Sequence, residues 1–271
     1  MTTDYRAAPG VNWSSLKHIA RSPLHYQHAL DNPTPPTAAM QAGTLAHLAT
    51  LEPERFASSV VLPPDDVLGK GGKRNTKAYR EWADAQPDDV TIASPDEVAT
   101  AQAIADAVRS HPVASALLAE ARCEVPMFWQ DNRATRLPCK GLADILVDLP
   151  TVRLADLLGA PAFTPVLADL KTTSDLPGFA RQAGRMGYHG QLAHYAEGVR
   201  VECGEPPAVY IVAVESTAPH DVAVYRLRDA DLARGMAYRN ELLATLARCE
   251  ATGDWPGVSR GVLDLDIPRW A

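Results

Sequence analysis

Apolar positions along this 271-residue chain change their spacing part-way through. Up to about residue 120 they recur at helical intervals; beyond it they alternate or run together as strands do. The segment 12–56 predicts two helices on either side of the break Asp31-Asn32-Pro33-Thr34-Pro35-Pro36. Residues 63–75 predict an exposed loop. Helical spacing resumes at 76–86 and at 94–119, the latter opened by Ser94-Pro95-Asp96-Glu97, with acids near the positive end of the helix dipole. Then 124–130 and 137–149 carry β-branched, aromatic and alternating residues around Asp131-Asn132-Arg133, a hairpin pattern. A further strand is expected at 165–171, after an irregular stretch. Segment 177–200 has helical spacing, which Gly178, Gly184, Gly187 and Gly190 weaken. Two more strands are expected at 208–214 and 222–227. An amphipathic helix at 229–251 has Leu232, Met236, Leu242, Leu243 and Leu246 on its apolar side. The order, helices followed by β-β-β-α-β-β-α, predicts one α/β domain over 1–271. It divides into a mainly helical part (1–120), an α/β core (121–251) and a tail (252–271).

Composition narrows the function classes. Hydrophobic residues at 46% and charged residues at 22% are those of an ordinary globular protein, not a disordered one. No run approaches the ~20 apolar residues of a membrane helix, and residues 1–10 lack a signal-peptide core, so a cytoplasmic protein with no membrane association is expected. The four cysteines are far apart and form no CxxC pair, which disfavours a zinc ribbon or an iron–sulfur cluster and suits a reducing compartment. The net charge of −7 disfavours a protein that coats nucleic acid through bulk charge. An acidic, metal-binding centre beside a local basic face remains compatible with it.

The most informative segment is Val166-Leu167-Ala168-Asp169-Leu170-Lys171-Thr172-Thr173. Side chains alternate along a strand, so Asp169 and Lys171 share a face. A carboxylate and an ammonium side by side can hold a metal ion and a water next to a phosphate; the same spacing also makes a surface ion pair. Upstream, Asp144 lies inside the apolar run Leu142-Ala143-Asp144-Ile145-Leu146-Val147. A carboxylate there is costly to bury unless paired or bound to a cation, or else it faces solvent. Two acids on neighbouring strands, the second followed by x-Lys, favour a Mg²⁺ site.

The set Asp144 … Asp169-Leu170-Lys171 resembles the signature of the PD-(D/E)XK nuclease superfamily, with Ala143 where a proline is usual and an enlarged connection at 150–164. Gly43-Thr44-Leu45-Ala46-His47 is similar to the Gly-x-x-x-His segment of RecB-type nucleases, and its continuation Leu51-Glu52-Pro53-Glu54 resembles the RecE-like exonucleases. Gln191-Leu192-Ala193-His194-Tyr195 matches the Gln-x-x-x-Tyr motif of the same branch, with Gln191 and Tyr195 on one helical face. Ser14, Lys17, Ser22-Pro23-Leu24-His25-Tyr26 and Ile267-Pro268-Arg269-Trp270 extend the likeness along most of the chain.

The resemblance implies a mixed central β-sheet flanked by helices, with an N-terminal helical region. It implies a Mg²⁺-dependent exodeoxyribonuclease, with Mn²⁺ as an alternative and two ions in use. Duplex DNA would be degraded from an end, 5′ to 3′, leaving 3′ single strands for recombination. Asp144, Asp169 and the Leu170 carbonyl would be ligands, with His47 helping a second ion; Lys171 would act on water, and Gln191 and Tyr195 would assist. A homo-oligomeric ring, a RecT-like single-strand annealing partner and a phage or prophage setting follow from the same likeness. The alternatives are a RecB-type single-strand nuclease and an inactive module that binds DNA ends.

Basic residues offer DNA contacts. Lys70, Lys73, Arg74 and Lys77 lie in or just after a glycine-bearing loop that could track phosphates or be merely solvated. Arg181 and Arg185 sit i, i+4 ahead of Gln191, as contacts or as surface charges. Glu124, at the start of the first strand, offers a further carboxylate or a partner for a lysine.

Overall fold

The computed structural model describes residues 2–87 and 89–267. At its centre, five strands stand in sequence order: Arg122–Gln130, Pro138–Val147, Val166–Thr173, Ala208–Glu215 and Val222–Arg226. Among the first three each neighbouring pair is antiparallel, the third and fourth are parallel, and the last is antiparallel again. The parallel step needs a crossover, which the helices Phe179–Met186 and Tyr188–Cys203 supply.

Alternation along the strands sorts the core into two layers. Leu146 and Leu167 point to the face covered by the helices Tyr188–Cys203 and Asp229–Thr252, through Leu192, Val199, Leu242 and Leu246. Ile145, Val147, Ala168 and Leu170 point to the opposite face, where Ala46, Ile104, Val108, Leu117 and Leu154 meet them. By the same parity Asp144, Asp169 and Lys171 belong to the first face. A third cluster, including Leu45, Leu48, Phe56 and Ala101, joins the Ala38–Leu51 helix to the Pro95–Ser110 helix.

Where element boundaries differ from the expectation, local chemistry explains it. The stretch 12–56 holds more than two helices: Trp13–Leu16 with a 3₁₀ turn, Pro23–Asp31, Ala38–Leu51 and Pro53–Ser59, the last starting in 56's neighbourhood. Ser22 and Thr37 cap two of them, and Pro53 restarts the chain after Leu51. The 94–119 helix is broken at His111-Pro112 into Pro95–Ser110 and Pro112–Glu120, because proline cannot donate within a helix. The 177–200 helix is broken at Gly187, whose φ of +69° closes one helix and opens the next. Gly190 stays helical because a side chain there would collide with the Trp13 ring. The 150–164 connection is not wholly irregular, since it carries the Val152–Leu158 helix between Thr151 and Gly159. A short helix, Thr2–Ala7, and a two-residue parallel pairing of Val60–Val61 with Thr91–Ile92 had no clear sequence pattern. Of the Ile267-Pro268-Arg269-Trp270 motif, the last three residues lie outside the described residues.

Candidate active site

The central strands part where the acids lie. Pairing between the Asp144 and Asp169 strands runs Val147↔Val166, Leu146↔Leu167 and Ile145↔Ala168, then stops. At the next position the Asp144 carboxylate replaces the ladder, with Oδ2 accepting from the Leu170 backbone N–H at 2.8 Å. The strands thus splay around a carboxylate, leaving room between their ends.

On the other side of Asp144, the first strand is distorted. Its register brackets Glu124 between Cys123↔Ile145 and Val125↔Ala143, opposite Asp144, but skips that pair. Glu124 has a φ of +51°, a left-handed conformation that costs a side-chain-bearing residue about 1–3 kcal/mol. Two carboxylates facing across strands add repulsion. Burial, then Asp144 and Glu52, push the Glu124 carboxyl up to about 8.

His47 reaches this point from the Ala38–Leu51 helix. Its Nδ1 is 3.6 Å from Asp144 Oδ2, too long for a hydrogen bond. One donor atom each from His47, Glu124 and Asp144 fall within 4.8 Å of one another, a spacing that a single cation could bridge. Beside them Asp169 is 1% exposed. Its Oδ2 makes no hydrogen bond and lies against the Lys171 ammonium, an ion pair along the strand face. Burial pushes the Asp169 carboxyl up to about 6, with Lys171 opposing and Asp144 reinforcing. Burial also works against the Lys171 charge, but Asp169 and Asp144 outweigh it and hold the proton on. The Tyr188 ring lies 5.0 Å beneath Lys171 Nζ.

Gln191 and Tyr195 come in from the helix above the sheet. Gln191 Nε2 donates to Asp169 Oδ1 at 3.2 Å and lies 3.4 Å from the Tyr195 hydroxyl. Burial pushes the Tyr195 phenol up, so it remains protonated. The fold therefore gathers His47, Asp144, Asp169, Lys171, Gln191 and Tyr195 from four separate elements. Leu170 contributes its N–H to Asp144, and its side chain is buried in the core. Glu124, left open by the sequence, joins them, and Tyr188 was not anticipated.

The expected DNA-contacting residues divide. Lys70 and Lys73 are exposed on a tight turn made by Gly71 and Gly72, both at φ +74°. Arg74 is a correction: it is half-buried and paired with Glu97 at 2.5 Å, the acid of the capping box on the Pro95–Ser110 helix. Its charge is already neutralised in holding the loop to that helix. Lys77 is exposed and pairs loosely with Glu81 at 3.4 Å. Arg181 and Arg185 are exposed on the Phe179–Met186 helix.

Residues 161–262 match the model of a family described as a PDDEXK-like domain of unknown function, DUF3799. The match takes in Asp169, Lys171, Gln191 and Tyr195 but not His47 or Asp144. Among solved structures, a Eubacterium rectale protein to which exonuclease activity is ascribed superposes with a TM-score of 0.62, covering 98% of this chain and 92% of its own. Residues 161–262 thus resemble a PDDEXK-like domain, and the whole chain shares the fold of the Eubacterium rectale protein. Identity to the Eubacterium rectale protein is 13%, so that likeness speaks for the fold alone. A second structure, SSO0001, aligns at 16% identity over 73% of this chain and 74% of its own, with a TM-score of 0.30 that carries no argument. No curated protein matches the sequence. Among the described residues, no helix is long and apolar enough to cross a membrane.

The site fits a divalent ion on its own chemistry. Two carboxylates and an imidazole, from Glu124, Asp144 and His47, lie within bridging distance of one another, and the buried Asp169 carboxylate stands on the neighbouring strand, paired with Lys171. Hard oxygen donors of this kind suit Mg²⁺ or Mn²⁺.

Proposed function

We propose that the protein is a divalent-metal-dependent deoxyribonuclease of the RecE-like kind, which degrades duplex DNA from an end in the 5′-to-3′ direction and leaves 3′ single strands. One observation carries this reading: on a PD-(D/E)XK fold, His47, Glu124, Asp144 and Asp169 crowd around splayed strand ends with Lys171 beside them. Glu124, Asp144, Asp169 and His47 would hold the metal, Mg²⁺ or Mn²⁺, and the resemblance extends this to two ions and the Leu170 carbonyl. A bound divalent ion supplies an activated water and neutralises charge on the scissile phosphate.

The chain's own groups then have distinct tasks. Lys171 is held as an ammonium by Asp169 and Asp144, so at neutral pH it donates to oxygen and steadies negative charge developing on phosphate. Its neighbours disfavour the alternative, a neutral lysine acting as base. Gln191 fixes the Asp169 carboxylate by donating to Oδ1, which leaves Oδ2 directed toward Lys171. Tyr195 stays protonated behind Gln191 and holds that amide in place. Asp144 is oriented by the Leu170 N–H at one oxygen. The ring assembly, the annealing partner and a role in recombination belong to the same proposal and rest on the resemblance.

Digestion of end-labelled linear, nicked and circular duplexes, with Mg²⁺ and with EDTA, tests the reading. Metal-dependent loss of blunt, 5′-phosphorylated linear duplex with circles spared supports it. Preference for single strands would replace it with a RecB-type activity, and absence of cleavage would leave only an end-binding module.

A further inference from the structure

Away from the carboxylate cluster, the basic side chains are unevenly matched. Arg55 pairs with Glu52, Arg74 with Glu97, Arg122 with Asp148, and both Arg133 and Arg200 with Glu197. Others, such as Lys70, Lys73, Arg153 and Arg181, stand alone on the surface, and Lys17, Arg21 and Arg185 are set apart by being gathered in one place. All three are exposed, and among the described residues none has a carboxylate within ion-pairing distance. They converge on one concave surface of about 430 Å³, joined by His18 and His189, and no acidic side chain lines it. In a chain with 33 acids and 26 Lys and Arg, a cavity lined by three cations and no carboxylate is a departure from the average surface.

Its position gives that charge a use. Lys17 and Arg21 flank the 3₁₀ turn that follows the Trp13–Leu16 helix, whereas Arg185 comes from the Phe179–Met186 helix across the cavity. Gly187, at the back, closes the helix of Arg185 and opens the Tyr188–Cys203 helix. Gln191, which touches Asp169, lies four residues further along, about 6 Å at 1.5 Å per residue. Arg185 also lines a second cavity of about 660 Å³ that reaches Thr172, the neighbour of Lys171, and Gly43, one turn before His47. That cavity also takes in Asp96 and Glu97, so Arg185 stands between the basic surface and the strand that carries Asp169 and Lys171.

We propose that the Lys17–Arg21–Arg185 surface grips the phosphodiester backbone of the nucleic-acid substrate next to the bond being cut. The proposal rests on the nuclease reading of the acidic centre. Three cations spread over two elements suit a run of phosphates better than one small anion. Their lack of internal partners means that bound phosphate displaces only solution counterions, so the contacts should carry the salt dependence of binding. They also explain how a chain of net charge −7 holds a polyanion: attraction is local and sits beside the reacting centre.

The test is fluorescence anisotropy of a labelled blunt duplex in EDTA, over a series of salt concentrations. Wild type is compared with the Lys17→Gln/Arg21→Gln double variant, with Arg185→Gln, and with Arg153→Gln as a distant exposed control. The double variant should bind more weakly, and its plot of log affinity against log salt should flatten by about 1.8, two contacts at about 0.9 each. Arg185→Gln should flatten it by about half as much, and Arg153→Gln should leave it unchanged. Melting temperatures near wild type show that the variants fold. Unchanged affinity and slope in the double variant, with wild type still cleaving DNA, overturn this surface and leave the nuclease reading standing. Equal weakening by Arg153→Gln also overturns it, since bulk charge would then be responsible. Competition by pyrophosphate at low concentration would point to a small-anion site and overturn it as well. A wild-type protein that neither binds nor cleaves DNA removes both proposals together.

Discussion

The helix Tyr188–Cys203 serves two buried clusters of charge that have been solved in opposite ways. On one side His194 lies against the Arg239–Asp131 pair, both partners of which are fully buried at 2.8 Å. There one anion meets one cation. Asp131 also accepts from the backbone of Ala134 and Thr135, tying the hairpin loop, while His194 bonds the Lys140 carbonyl. On the other side Gln191 reaches Asp169, which with Asp144 holds the Lys171 ammonium, and Glu124 and His47 stand against Asp144. The first cluster is neutral and closed. The second has more carboxyl groups than cations and opens to a cavity of about 320 Å³ lined by His47 and Glu124; burial, together with that excess, pushes Glu124 up to about 8. Burying charge is tolerable only when it is paired, so the second arrangement makes physical sense when a cation joins it.

Cleavage is where the two should differ most. Asp169→Ala or Lys171→Ala is expected to abolish detectable hydrolysis of linear duplex while circular dichroism shows a retained fold. Near-normal turnover by either would remove the acidic cluster from the chemistry.

Stability should contrast the other way. Asp131→Asn strands the Arg239 charge in the core and should cost about 3–5 kcal/mol in denaturant unfolding. Asp144→Asn relieves repulsion and can still accept from the Leu170 N–H, so in EDTA it should be neutral or stabilising. A loss from Asp144→Asn as large as that from Asp131→Asn would erase the distinction.

His47→Ala tests whether imidazole belongs to the surplus cluster. It should raise the Mg²⁺ concentration needed for half-maximal rate, as a titration of rate against metal will show. A lower melting temperature with unchanged metal dependence would make His47 a packing residue.

The smallest contrast is in pH dependence without metal. Burial, then Arg239, lowers His194 to about 3 from an ordinary value of 6.5, so its contribution is present above 6.5 and lost as pH falls through about 3. Glu124 is raised to about 8 from 4.5, so its contribution is complete below 4.5 and lost as pH rises through about 8. Melting temperatures in EDTA should therefore fall from pH 6.5 to 8, and Glu124→Gln should flatten that limb. His194→Gln should flatten the decline at acid pH instead.

Much of this could be read in the chain because its signals are local. Asp169 and Lys171 share a face by strand parity, Gln191 and Tyr195 by helical spacing, and both pairs meet in the fold. The PD-(D/E)XK likeness also located His47 near Asp144, although 97 residues separate them and periodicity says nothing about such a distance. Glu124 was harder. Its place opposite Asp144 depends on hairpin register, and the loop after Asp131 is longer than the Asp131-Asn132-Arg133 turn suggests. Arg74 misled because a cation in a glycine-rich loop looks free until the Glu97 carboxylate is found beside it. The Lys17–Arg21–Arg185 surface was hidden for a similar reason: Arg185 lies more than 160 residues from Lys17 and Arg21, and only folding joins them.

Calorimetric titration of Mn²⁺ into the wild-type protein and Asp144→Asn, both without DNA, addresses the central claim most directly. The surplus carboxylate cluster should take up the ion in wild type, and Asp144→Asn should lose most of that binding while keeping its fold. Absence of binding to wild type, or equal binding by Asp144→Asn, would contradict a metal centre built on these strands.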